Sequence, residues 1–157
     1  MIYCASLERD EFVYHLVADK SALGKIVSLA CLKVSHSDLA GETLVGSPYL
    51  YLALTKYRKS DFYLSYVASE MLNRGQDVDS RDAYGLTLLM KAVIDVNADA
   101  VRFLLENRAN KDLRLEDDSP AQEFRGMSAL EIARSIKKNP SSDQAALAAI
   151  IELLGQK

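Results

Sequence analysis

Ser35-His36-Ser37-Asp38 puts a hydroxyl, an imidazole and a carboxylate into four consecutive positions, the residue types of nucleophilic hydrolysis. A catalytic triad is a spatial constellation whose members converge from separate segments. Neighbours in one turn do not present that geometry, and no nucleophile elbow accompanies them. Asp77-Val78-Asp79-Ser80-Arg81-Asp82 opens like a calcium loop. Its fifth position is Arg81, its sixth is not glycine, and Leu88 stands where the bidentate glutamate belongs; the string reads as an acidic turn. His15 and His36 have no second pair at ligand spacing, and the Lys137-Lys138 pair reads as a solvated loop. Cys4 and Cys31, the chain's only cysteines, fall in adjacent predicted helices where a disulfide is geometrically possible. Nothing indicates an oxidising compartment, so they read as small buried hydrophobes. These residues predict no catalytic site, metal or cofactor.

The tyrosines carry a different signal. Tyr49, Tyr51, Tyr57, Tyr63 and Tyr66 are five of the chain's eight. Tyrosine supplies large contact area at low entropic cost and is enriched at binding hot spots. Tyr66 falls beside a predicted helix stripe and is expected to pack, whereas Tyr57 and Tyr63 flank Arg58-Lys59-Ser60-Asp61 in a polar loop expected to be open to a partner.

The elements that must position these residues are helical. Asp82 and Gly85 are turn formers, the first through a bond to its own backbone two residues on, the second through its tolerance of positive φ. Thr87 is a good helix cap. Leu88, Leu89, Ala92 and Val93 follow at helical spacing, leaving Lys91 on the expected solvent side. Val101, Leu104 and Leu105 form a second stripe that starts at Asn97 or Asp99.

The unit recurs. Gly46-Ser-Pro-Tyr-Leu50-Tyr-Leu-Ala53 and Gly126-Met-Ser128-Ala-Leu130-Glu-Ile-Ala133 place Leu and Ala where Gly85 places Leu89 and Ala92. Their second helices end at Met71-Leu72 and Leu153-Leu154. Extra residues fall between the helices around 55–62 and 137–144, and a further insertion lengthens the turn through Leu115-Glu-Asp-Asp-Ser-Pro-Ala121.

The segment from Arg81 to Leu113, with Thr87-Leu-Leu-Met-Lys-Ala92 at its helix opening, resembles one ankyrin repeat, whose period is about 33 residues and whose opening is Thr-Pro-Leu-His-x-Ala. The resemblance implies an all-α, ankyrin-repeat α-solenoid occupying 1–157 as a single domain. Its parts would be a divergent N-terminal helical cap (1–40) and repeats over 41–79, 80–112 and 113–157. It also implies a non-catalytic protein–protein interaction module whose finger loops and first helices hold a partner. The family's variable surface positions fall on Arg81, Ala83, Tyr84, Leu86, Ile94 and Asp95 in the middle repeat. In the last they fall on Gln122, Phe124, Arg125, Met127, Ser135 and Ile136, and in the first on Glu42, Leu44, Val45, Ser47, Thr55 and Lys56. Departures from the pattern are the missing Pro after Thr87, Met90 for His, and Arg108 where a helix-ending Gly is usual. With Tyr57 and Tyr63 added, the expected protein-binding set is Tyr57, Tyr63, Arg81, Ala83, Tyr84, Leu86, Ile94, Asp95, Phe124 and Arg125. Small ankyrin chains resemble adaptors, and also bacterial immunity proteins that neutralise a toxin by blocking it. A minor enzyme is the disfavoured alternative.

Composition agrees with one domain: 157 residues, 49% hydrophobic, suffice for a continuous core. The net charge of −3 is spread evenly, so no basic face points to nucleic acid, and no small-molecule substrate is expected. No apolar run of about 18 residues points to a membrane span, and the N-terminus lacks a basic segment followed by an apolar one. A cytoplasmic protein is expected.

Overall fold

The computed structural model describes residues 49–55, 62–137 and 143–156. The expected N-terminal cap, Cys4, Cys31, His15, His36, the Ser35–Asp38 string and Tyr57 lie outside them. Among the described residues all regular structure is helical: α1 (Tyr49–Leu54), α2 (Phe62–Asn73), α3 (Leu88–Ile94), α4 (Ala98–Glu106), a 3-10 turn at Gln122–Phe124, α5 (Ala129–Lys137) and α6 (Gln144–Gly155). Extended pairing is limited to two isolated antiparallel bridges, Arg81 with Thr87 and Arg114 with Ser128.

Local chemistry sets the starts of α3 to α6. Thr87 accepts from the Met90 amide at 3.2 Å, and Asn97 accepts from Ala100 at 3.1 Å. Ser128 and Glu131 form a reciprocal capping box, the Ser128 amide donating to Glu131 at 2.8 Å and the Glu131 amide to the Ser128 hydroxyl at 3.4 Å. The Ser128 amide, and then the Arg114 guanidinium, hold the Glu131 carboxyl below its usual range. Asp143 caps α6 through Ala145 and Ala146.

Three helix ends share one closure. The amides of Gln76, Asn97 and Ala109 reach back to the carbonyls of Met71, Ala92 and Leu104, while Gly75, Val96 and Arg108 donate to Leu72, Val93 and Leu105. This double bond is the Schellman pattern, which needs a left-handed residue just past the helix. Gly75 accepts it freely at φ 98°; Val96 at 53° and Arg108 at 67° do so against their side chains.

Helices adjacent in sequence pack on one another, α1 on α2, α3 on α4 and α5 on α6, and the last two pairs meet through α3 on α5 and α4 on α6. Leu50, Met71, Leu88, Leu89, Met90, Leu104 and Ile132 are fully buried in one continuous core. The first pair is tied to the second by Asn97, whose side chain caps α4 and donates to the Leu54 carbonyl at the end of α1. The extra residues expected between paired helices fall mostly outside the described residues, at 56–61 and 138–142, and α2 and α6 are longer than α4.

Two expectations need correction. Tyr63 is not in the polar loop: α2 already includes it, because the apolar run Phe62–Leu64 extends the helix toward its N-terminus. Lys91 is not on a solvated face. Its side chain is 15% exposed and pairs with Asp82 at 2.7 Å, because the finger folds back over α3.

Candidate functional site

Two fingers project between the helix pairs, 81–87 and 114–128. Each begins at an arginine, turns at a glycine with positive φ (Gly85 at 77°, Gly126 at 69°) and closes on its helix cap through one bridge. Arg81 donates to the carbonyl of its own Gly85 at 2.6 Å and to Arg114 O of the next finger at 3.1 Å. Arg114 likewise reaches the Gly126 carbonyl and pairs with Glu131 at 2.8 Å. The arginines fasten the fingers, the Arg81 guanidinium by donating to the two backbone carbonyls.

The first finger is short and carries the outstanding exposed group. Tyr84 is 55% exposed, the sole large hydrophobic so placed among the described residues, and Ala83 beside it is also exposed. Beneath them the Asp82 carboxylate accepts from the amides of Tyr84 (2.9 Å) and Leu86 (3.0 Å) with one oxygen, and from Lys91 Nζ with the other. Leu86 is buried at 8%, which corrects its place in the expected binding set: it faces the core. The calcium-like acids have other employment, Asp77 accepting from the Asp79 amide and Asp79 from that of Asn110.

The second finger holds the insertion. Leu115 exchanges backbone bonds with Met127 and Gly126 at the neck, and residues 116–125 form a loop that lies against the first finger. Ser119, buried, donates from its hydroxyl to the Tyr84 carbonyl at 2.5 Å and accepts from the Ala121 amide. Arg125, exposed, closes the loop on the Ser119 carbonyl at 2.7 Å. Phe124 is half-buried against the core.

At the other end, Asp95 is exposed and accepts from the Tyr51 hydroxyl at 3.0 Å, while Ile94 is half-buried. Lys91 Nζ stands 4.1 Å from the Tyr51 ring centre, a cation–π distance. Burial first, then the charges of Asp95 and Asp82, push the Tyr51 hydroxyl up to about 12. Tyr66 packs on the core.

The structure therefore joins Asp95, Tyr51, Lys91, Asp82, Tyr84, Ser119 and Arg125 into one chain of contacts that runs from α1 over α3 and the first finger to the second finger. Of the expected set Ala83, Tyr84, Asp95 and Arg125 are each exposed, Ile94 and Phe124 are half-buried, Leu86 is buried, and Arg81 holds finger backbone. Lys91 and Ser119 were missed. Lys91 meets Asp82 only after the turn reverses the chain, and Ser119 lies inside an insertion whose landing place no helical spacing reveals.

The contacts of this polar chain tie exposed groups to the finger backbones. Among the described residues no three His, Cys, Asp or Glu side chains cluster as a metal site, and no helix is long and apolar enough to cross a membrane. No protein-family model matches the chain, and no curated protein matches it either.

Proposed function

We propose that the chain is an ankyrin-type α-solenoid acting as a non-catalytic protein-interaction module, an adaptor or an inhibitor working in the cytoplasm. The repeat reading is supported by spacing. Arg81 and Arg114 are 33 positions apart and make matching carbonyl contacts. The side-chain turns at Asp77 and Asn110 each hold the amide two residues on. The helix closures at Gly75 and Arg108 are alike.

One observation carries the interaction reading: Tyr84 is exposed on a finger whose backbone is held from both sides, by Asp82 and by Ser119. A large amphipathic ring presented on an ordered backbone binds with little left to immobilise. The binding surface is then the finger side, from Asp95 through Tyr84 to Arg125.

Affinity capture from cells that express the protein, followed by mass spectrometry, tests this. A single stoichiometric partner is expected, and Tyr84→Ala should weaken its binding by about 1–4 kcal/mol with an unchanged thermal transition. Full retention by Tyr84→Ala and Arg125→Ala variants alike would place the site elsewhere. Assay of the partner's own activity with equimolar protein then separates an adaptor, which leaves it intact, from an inhibitor of the toxin-neutralising kind, which abolishes it.

A further inference from the structure

The two fingers solve one packing problem in two ways. Asp82 and Leu115 occupy the same place in the bridge, each donating its backbone amide to the carbonyl of the residue before a helix cap, Leu86 and Met127, and accepting from the amide of the turn glycine, Gly85 and Gly126. Lys91 and Ile132 likewise occupy the same place, each donating its backbone amide to the cap residue's carbonyl, Thr87 and Ser128. One unit thus holds an ion pair where the next holds two aliphatic side chains: the Asp82 side chain is 1% exposed and that of Lys91 15%, against 2% for Leu115 and 0% for Ile132.

At these two places the second finger closes on its helix with apolar residues. A buried ion pair is also weak support for stability, since apolar replacements of similar volume are often neutral or better. What Leu115 lacks is an acceptor. In the second finger the Met127 amide goes to the Phe124 carbonyl supplied by the long loop. In the short first finger the amides of Tyr84 and Leu86 have the Asp82 carboxylate.

We infer that Asp82 and Lys91 are positioning residues for Tyr84, the ion pair holding the fingertip in its binding conformation rather than holding the repeat together. This rests on the reading of Tyr84 as a partner contact. Lys91 acts through Asp82: its ammonium neutralises a carboxylate that would otherwise turn to water and release both amides. Tyr51 keeps the ammonium in place from the preceding helix pair.

Site-resolved amide hydrogen exchange on the free protein tests it. Lys91→Met keeps the aliphatic stem and removes the charge, and should speed exchange at Tyr84 and Leu86 by about tenfold or more while amides of α3 and α4 stay protected. Adding Asp82→Asn supplies a neutral acceptor that needs no cation, and should restore slow exchange and partner retention. Unchanged exchange at the finger in Lys91→Met overturns the inference. So does acceleration spread equally through α3 and α4, or a double variant that fails to recover, because each would mean that the pair holds the unit together. If Lys91→Met does not fold, the double variant decides, since it must fold with a slow-exchanging finger. A Tyr84→Ala variant that keeps its partner would defeat the interaction reading while leaving the exchange result standing.

Discussion

Arg108 holds a backbone conformation that its own side chain resists. At φ 67° it occupies the place that Gly75 takes at 98° one unit earlier, and a left-handed L-residue costs about 1–2 kcal/mol. Its side chain is exposed, so little contact is lost on truncation, and glycine's greater unfolded-state freedom returns only about 0.5–1 kcal/mol of the gain. Arg108→Gly should therefore stabilise the protein by about 0.5–1 kcal/mol in urea unfolding; a loss of stability would mean that the arginine makes a contact worth more than the strain. Tyr51 gives a second prediction at this scale. A hydroxyl raised to about 12 in the folded chain, against about 10 unfolded, favours the folded state while it stays protonated. Its contribution is complete below pH 10 and is lost as pH rises from 10 to 12. Tyr51→Phe should be less stable than the parent at neutral pH through the missing bond to Asp95, and the difference should shrink across that alkaline window. A constant difference from pH 8 to 12 would show that the hydroxyl titrates alike in both states.

Helices as short as α3, seven residues, are not self-sustaining in water, so caps and burial must supply their stability. Leu89→Ala and Leu104→Ala, both at fully closed positions, should each cost about 2–5 kcal/mol by cavity formation. Ser128→Ala should cost about 1 kcal/mol through loss of the capping box. Denaturant midpoints check all three, and a near-neutral Leu89→Ala would mean the helix face is misassigned. These elements were legible in the sequence because they depend on neighbours in sequence: the Thr87 and Asn97 caps, the Asp82 turn and the Leu88–Val93 stripe are written in residue type and spacing. Lys91 was not legible, since its placement depends on a carboxylate delivered by the fold of the finger. Leu86 was misread for the same reason, a family position being taken as surface where the short finger turns that side chain inward. The length of the second finger could be read from the spacing between Leu105 and Gly126, but the docking of Ser119 on the Tyr84 carbonyl could not, because it joins two segments 35 positions apart.

Across the whole molecule the middle helix pair carries load from both sides. It receives α1 through Tyr51–Asp95 and Asn97–Leu54, and it supports the last pair through α3 on α5 and α4 on α6. On the proposed repeat reading stability is approximately the sum of unit and nearest-neighbour terms, so the consequence of a cavity depends on where it is opened. Ile150 in α6 is fully buried, and Ile150→Ala removes core atoms from the last pair and its one described interface. It should lower hydrogen-exchange protection in α5 and α6 by about 2–5 kcal/mol while α2 and α3 retain most of theirs. The same truncation at Leu89 acts on the pair that both neighbours lean on, and should lower protection in all six helices together. Equal loss everywhere from Ile150→Ala would make the chain a single cooperative unit and remove the support that serial packing gives to the repeat reading.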